Sequence, residues 1–126
     1  MKKEIVFSAN APKPIGPYSQ AVKAGGMLFV SGQIALDPKT GNLINADIRV
    51  ETQQVMNNIK AILIEAGVDF SHVVKCSIFV KDLGNFSVIN EIYECYFDQE
   101  APARETVEVS RLPKDVNVEI SCVAVI

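Results

Sequence analysis

A mixed α/β domain with the element order β-β-β-α-β-α-β-β, one sheet carrying two helices on a single face, is the fold that the patterning of this chain predicts. Three observations carry that expectation. Several short stretches alternate apolar and polar residues with a period of two, two internal segments repeat apolar residues at helical spacing, and a Gly-Gly pair separates the second strand from the third.

Lys3 to Ser8 reads as the first strand. The following Ala11-Pro12-Lys13-Pro14-Ile15-Gly16-Pro17-Tyr18 segment is a loop, because its prolines lack backbone donors and fix φ. Gln20 to Ala24 and Met27 to Gln33 form a hairpin across Gly25-Gly26, a pair suited to the positive φ of a tight turn. After the polar Asp37-Pro38-Lys39-Thr40-Gly41 turn, Val55, Ile59, Ile62, Leu63 and Ala66 recur at helical spacing, and Gly67 ends the helix. Val73 to Val80 alternates as a strand. Phe86, Ile89, Tyr93, Tyr96 and Phe97 then mark a second helix starting near Asn85.

The last two strands hold the candidate chemistry. From Pro102 to Ile120 the sequence reads as an antiparallel hairpin around Leu112-Pro113-Lys114-Asp115. On that reading Arg104, Thr106 and Glu108 share a face with Asn117, Glu119 and Ser121, while Val116, Val118, Ile120, Cys122 and Ala124 point into the core. Thr106 then stands opposite Glu119 and Arg104 opposite Ser121, an anion fork beside a general base. The face away from the helices carries this polar row together with Val123 and Val125, so self-association through it is expected.

Composition narrows the function. At 126 residues and 48% hydrophobic content, residues 1–126 are read as one domain. Twelve Lys plus Arg against 15 Asp plus Glu give a net charge of -3, without the basic face a phosphate backbone requires, so no nucleic-acid partner is expected. No apolar run has signal-peptide or membrane-span length, so a soluble cytoplasmic protein with no membrane partner is expected. Cys76, Cys95 and Cys122 are scattered and odd in number; they read as buried small hydrophobes rather than a disulfide framework or metal site. His72 lies four residues before Cys76 and reads as an ordinary surface histidine, so no metal is expected. Ser31 beside Gly32 lacks a Gly-x-Ser-x-Gly elbow and a histidine partner, which disfavours a serine nucleophile. Two blander readings stay open: Arg104 as an interface arginine paired with Glu105 or Glu119, and Glu119 as its electrostatic partner only.

Gly16-Pro17-Tyr18-Ser19-Gln20, Val30-Ser31-Gly32-Gln33-Ile34, Val80-Lys81-Asp82-Leu83, Val88-Ile89-Asn90-Glu91-Ile92-Tyr93 and the Pro102-Ala103-Arg104 to Glu119 segment together resemble the YjgF/RidA family of reactive-intermediate deaminases, nearly end to end. The resemblance implies a chorismate-mutase-like fold, a homotrimer with a central barrel, and sites in the clefts between subunits. It further implies cofactor-free hydrolysis of 2-imino acids, such as 2-iminobutanoate and 2-iminopropanoate, to 2-oxo acids and ammonia. Arg104 would clamp the substrate carboxylate, and Glu119 would orient or deprotonate water. Tyr18 would form an aromatic wall, Ser31 and Asn90 would position the substrate, and backbone groups near Gly32 and Thr106 would bind the imine nitrogen or the tetrahedral centre. Thr106 stands where many members carry cysteine, and Ala101 where an aromatic often precedes Pro-Ala-Arg. Two other functions stay open: a non-catalytic protein that binds a carboxylate metabolite such as a 2-oxo acid and signals to a partner, and the ribonuclease, translation-inhibitor or chaperone activity ascribed to some members.

Overall fold

A computed structural model describes residues 2–126. Its elements follow the expected order: β1 (Glu4–Val6), β2 (Ala21–Ala24), β3 (Met27–Gln33), α1 (Ile48–Glu65), β4 (Val73–Val80), α2 (Phe86–Glu94), β5 (Ala103–Glu108) and β6 (Val118–Val125). Gly25 and Gly26 take φ of 58° and 75°, as the tight β2–β3 turn requires. Helix α1 begins where Asp47 accepts a hydrogen bond from the Val50 N–H at 2.9 Å. It ends in a Schellman motif: Gly67, at φ 82°, donates to the Ile64 carbonyl, and Val68 donates to that of Leu63. Helix α2 is shorter than the apolar spacing suggested. Tyr96 and Phe97 lie beyond its end, where both rings pack against Phe70 with centroids 5.3 Å away.

The six strands lie in the order β1-β2-β3-β6-β4-β5, antiparallel except for the parallel β4–β5 pair. The expected β5–β6 hairpin does not form, because β4 stands between the two strands. The β4-α2-β5 crossover places β5 parallel to β4, and the residues between Glu108 and Val118 carry the chain across to the far side of β4. Registers change accordingly. Arg104 stands opposite Cys76 and Thr106 opposite Ile78, whereas Glu119 stands opposite Phe79 and Ser121 opposite Ser77. Alternation along the strands therefore turns Arg104, Thr106 and Glu108 toward the helices, and Glu119 and Ser121 to the other face. Glu108 accepts the Leu83 N–H just before α2, and Asn117 is bound to Glu51 of α1.

The core lies between one sheet face and the helices. Leu28, Val30, Ile78, Val80, Val118 and Ile120 meet Val55, Met56, Ile59, Ile62 and Leu63 of α1 and Ile89 and Tyr93 of α2. Cys76 and Cys122 are buried here, but Cys95 is exposed, contrary to expectation. His72 serves a local capping box with Asp69. The opposite sheet face is uncovered. Ile5, Phe29, Val107 and Val125 are each 40–54% exposed on it, around a polar group in which Glu105 bonds to Lys75 and Ser77. No helix among the described residues is long and apolar enough to cross a membrane.

Candidate functional site

The predicted site residues fall into two groups on opposite sides of the sheet. Tyr18, Ser31, Gly32 and Glu119 line one cleft of about 450 Å³ together with Lys13, Pro113 and Lys114. Arg104 and Asn90 line another of about 710 Å³ with Tyr93, Ala101 and Pro102. Thr106 lines neither; its hydroxyl is buried without a hydrogen-bond partner, as is that of Tyr93. Arg104 and Glu119 of one chain thus do not form the side-by-side pair that the hairpin reading expected.

A bulge builds the Glu119 cleft. Along the β3–β6 ladder, Val30 pairs with Cys122 and Gln33 with Ile120, so β3 carries one extra residue at Ser31-Gly32. Ser31 donates from Oγ to the Ser19 carbonyl at 2.6 Å and from its backbone N–H to the Gln20 carbonyl at 2.9 Å. Gly32 lies against Glu119: a Cβ at this position would come within 2.8 Å of the Glu119 carboxyl carbon. Only a residue without a side chain lets the carboxylate sit across the bulge.

Gln20, which sequence reasoning treated as an ordinary strand residue, pins the loop that presents Tyr18. Its buried amide donates to the carbonyls of Ser8, Ala11 and Pro12 at 3.1, 3.3 and 2.8 Å, and its Oε1 accepts the Ser8 N–H at 2.6 Å. Four bonds to one side chain replace the ladder that the proline-rich segment cannot make. Glu119 is half-buried. Burial pushes its carboxyl above the usual carboxylate range, and no hydrogen bond or opposite charge offsets that shift.

The other cleft holds a fixed cation. Arg104 donates from Nη1 to Asn90 Oδ1 at 2.7 Å, and its guanidinium carbon lies 5.0 Å from the Tyr93 ring centroid and 5.5 Å from that of Phe86. Among the described residues no carboxylate pairs with it: Glu105 bonds to Lys75 and Ser77 instead. Aromatic faces and one amide therefore orient a guanidinium whose remaining donors are free for an external planar anion.

The two sides of the sheet thus present a fixed guanidinium and a desolvated carboxylate. The family model described as endoribonuclease L-PSP matches residues 8–126, and the chain belongs to that family, the YjgF/RidA group that its motifs resemble. A RutC family protein of Pyrococcus horikoshii is 55% identical over 122 residues, covering 97% of each chain. Reactive Intermediate Deaminase A, chloroplastic, of Arabidopsis thaliana is 44% identical, covering 98% of this chain and 66% of its own. The crystal structure of E. coli TdcF with bound serine superposes with a TM-score of 0.93 at 41% identity, covering 98% of each chain.

Two outcomes are expected. Gly32→Ala forces the Glu119 carboxylate off the bulge, so a crystal structure of the variant shows a new Glu119 rotamer on an unchanged sheet. Glu119→Gln raises the melting temperature at pH 7, since a carboxyl whose folded pKa exceeds its unfolded value costs stability once ionised. In thermal melts that gain fades as pH falls toward about 4, where unfolded glutamate becomes protonated.

Proposed function

We propose that the protein is a hydrolytic deaminase that converts reactive 2-imino acids, with 2-iminobutanoate and 2-iminopropanoate as reference substrates, to 2-oxo acids and ammonia. The observation that carries this reading is the pairing of functions between the two clefts: an uncompensated, oriented guanidinium in one and a carboxylate with a raised pKa in the other. A 2-imino acid needs both, a fork for its planar carboxylate and a base for the attacking water.

Because Arg104 and Glu119 sit on opposite sides of one chain, a small substrate reaches both only where two copies meet. The exposed apolar face supplies a surface for that meeting, and a homotrimer with three shared sites satisfies it. At such a site Arg104 of one subunit holds the carboxylate, with Asn90 fixing the fork. Glu119 of the neighbour takes a proton from water as the oxygen bonds to the carbon of the protonated imine and the π pair moves to nitrogen, leaving a neutral amine. Breakdown of the tetrahedral centre passes that proton from Glu119 to the nitrogen; as the C–N bond breaks and ammonia leaves, Glu119 takes the hydroxyl proton, the carbonyl forms, and Glu119 releases the proton to solvent. Tyr18 and Ser31 shape the wall, and backbone groups at Gly32 and Thr106 are the candidate partners of the tetrahedral centre. Imines are already activated electrophiles, so positioning and electrostatics supply the acceleration. Serine bound to TdcF supports a second reading, in which the same site holds a carboxylate metabolite without turning it over.

The test generates 2-iminobutanoate with threonine dehydratase and traps it competitively with semicarbazide. Wild-type protein outcompetes the trap. Arg104→Ala does not, and Arg104→Lys loses most of the effect because an ammonium cannot form two parallel bonds. If the folded wild type leaves trapping unchanged but binds 2-oxobutanoate, the second reading replaces the first. Co-refolding inactive Arg104→Ala with inactive Glu119→Gln restores activity, because mixed assemblies contain sites with one intact residue from each variant. No recovery in confirmed mixed oligomers refutes the shared site.

A further inference from the structure

We infer that Glu51, at the start of α1, is a positioning residue that holds the Glu119 wall in place through Asn117. The inference rests on the deaminase reading for its kinetic consequence, but on geometry for its origin. Glu51 is 0% exposed, and its carboxylate accepts two hydrogen bonds from Asn117, one from the backbone N–H and one from Nδ2, each at 2.8 Å. A buried carboxylate is tolerated only when its oxygens are satisfied. Here no cation pairs with it among the described residues; two amide donors and the N-terminal end of a helix do so instead.

The place of that anchor gives it a role. Asn117 precedes β6 and lies two residues before Glu119, and its carbonyl accepts the Lys81 N–H at 3.1 Å. On its other side runs the turn whose Pro113 and Lys114 line the Glu119 cleft. Lys114 and Asp115 both lie in the left-handed region, at φ 55° and 56°, without being glycine. Such backbone persists where its surroundings over-determine it. The exposed Arg111–Asp115 pair spans the turn from outside, and Val116 is fully buried beneath it. Between that turn and Glu119, the bidentate Glu51–Asn117 contact is the buried polar tie to the helix layer. The charged and titratable groups that share the cleft with Glu119 are Lys13, Tyr18 and Lys114, and Lys114 rides on the tied segment itself. Loosening the tie therefore moves Lys114 and opens Glu119 to water.

The experiment compares Glu51→Ala, Glu51→Gln and wild type. In Glu51→Gln the amide oxygen still accepts the Asn117 N–H, and its NH2 meets the Asn117 side-chain oxygen after an amide flip, so the tie survives. In Glu51→Ala it is lost. The expected result is that kcat for 2-iminobutanoate falls on the order of 10- to 100-fold in Glu51→Ala with KM nearly unchanged, since Arg104 is untouched, and recovers in Glu51→Gln. In parallel, carboxyl NMR of Glu119 titrates above the ordinary glutamate range in wild type and Glu51→Gln, and moves toward that range in Glu51→Ala. A purely structural role lowers the melting temperature and leaves the Glu119 titration and the kcat-against-KM split unmoved, and that result overturns the inference. Should Glu51→Ala fail to fold, Glu51→Met, which fills the space without an acceptor, carries the same comparison. If wild type does not hydrolyse the imine, the deaminase reading falls while the Glu119 titration still decides whether Glu51 positions it.

Discussion

The insertion of β6 between β3 and β4 is the constraint on which the rest of the structure depends. This strand closes two antiparallel ladders at once, and its buried face, Val118, Ile120, Cys122 and Ala124, meets the helices at the middle of the core. Its other face sets the chemistry. The bulge in β3 exists only as a mismatch against β6, and that mismatch brings Gly32 beneath Glu119. Displacing β6 to the far side of β5, as a local hairpin would, leaves no bulge and no desolvated carboxylate. The insertion of β6 between β3 and β4 also leaves β5 at the margin of the sheet, where Arg104 reaches the aromatic rings of α2.

Much of this was legible in the residues because the signals are local. The Gly25-Gly26 turn, the ending of α1 at Gly67 and the start of α2 after Asn85 depend on backbone preferences within a few positions. Strand neighbours depend on residues far apart, and sequence proximity misled. A corrective signal is present. β6 is apolar on both faces over Val118 to Val125 apart from Glu119 and Ser121, as suits a central strand, whereas Arg104, Glu105 and Glu108 give β5 the charge typical of an edge. The chemistry of Arg104 and Glu119 as residue types was readable; their separation onto two faces was not, since it follows from that neighbour order. Gln20 and Glu51 carry no local mark at all. A buried amide that gathers a loop and a buried carboxylate that ties a turn become visible only when the backbone groups they satisfy, 8 to 12 residues away for Gln20 and 66 for Glu51, are brought beside them.

The two clefts use opposite electrostatic strategies. Arg104 keeps its charge by resting on aromatic quadrupoles and one amide, which orient the guanidinium without neutralising it. Glu119 is stripped of partners, so its ionised form is destabilised and its basicity rises. Each arrangement leaves something unsatisfied in a single chain: free N–H donors on one side, a bare carboxylate on the other. The uncovered apolar face between them is a third deficit. On the proposed reading, association of copies through that face would relieve all three together, so that assembly and ligand binding would draw on the same unspent interactions.

The outer edge of β5 carries a further consequence. An edge strand presents unpaired backbone donors and acceptors, a template onto which a stray strand from another chain can add. In β5 that edge runs through Ala-Arg-Glu-Thr-Val-Glu, a segment with three charges in six residues that resists sheet extension. Arg104 is one of those three charges, so the guanidinium proposed above to hold an anion also belongs to the set that disfavours sheet extension. On the proposed reading, solubility and ligand recognition would rest on the same short strand, which would narrow the routes by which either property can drift.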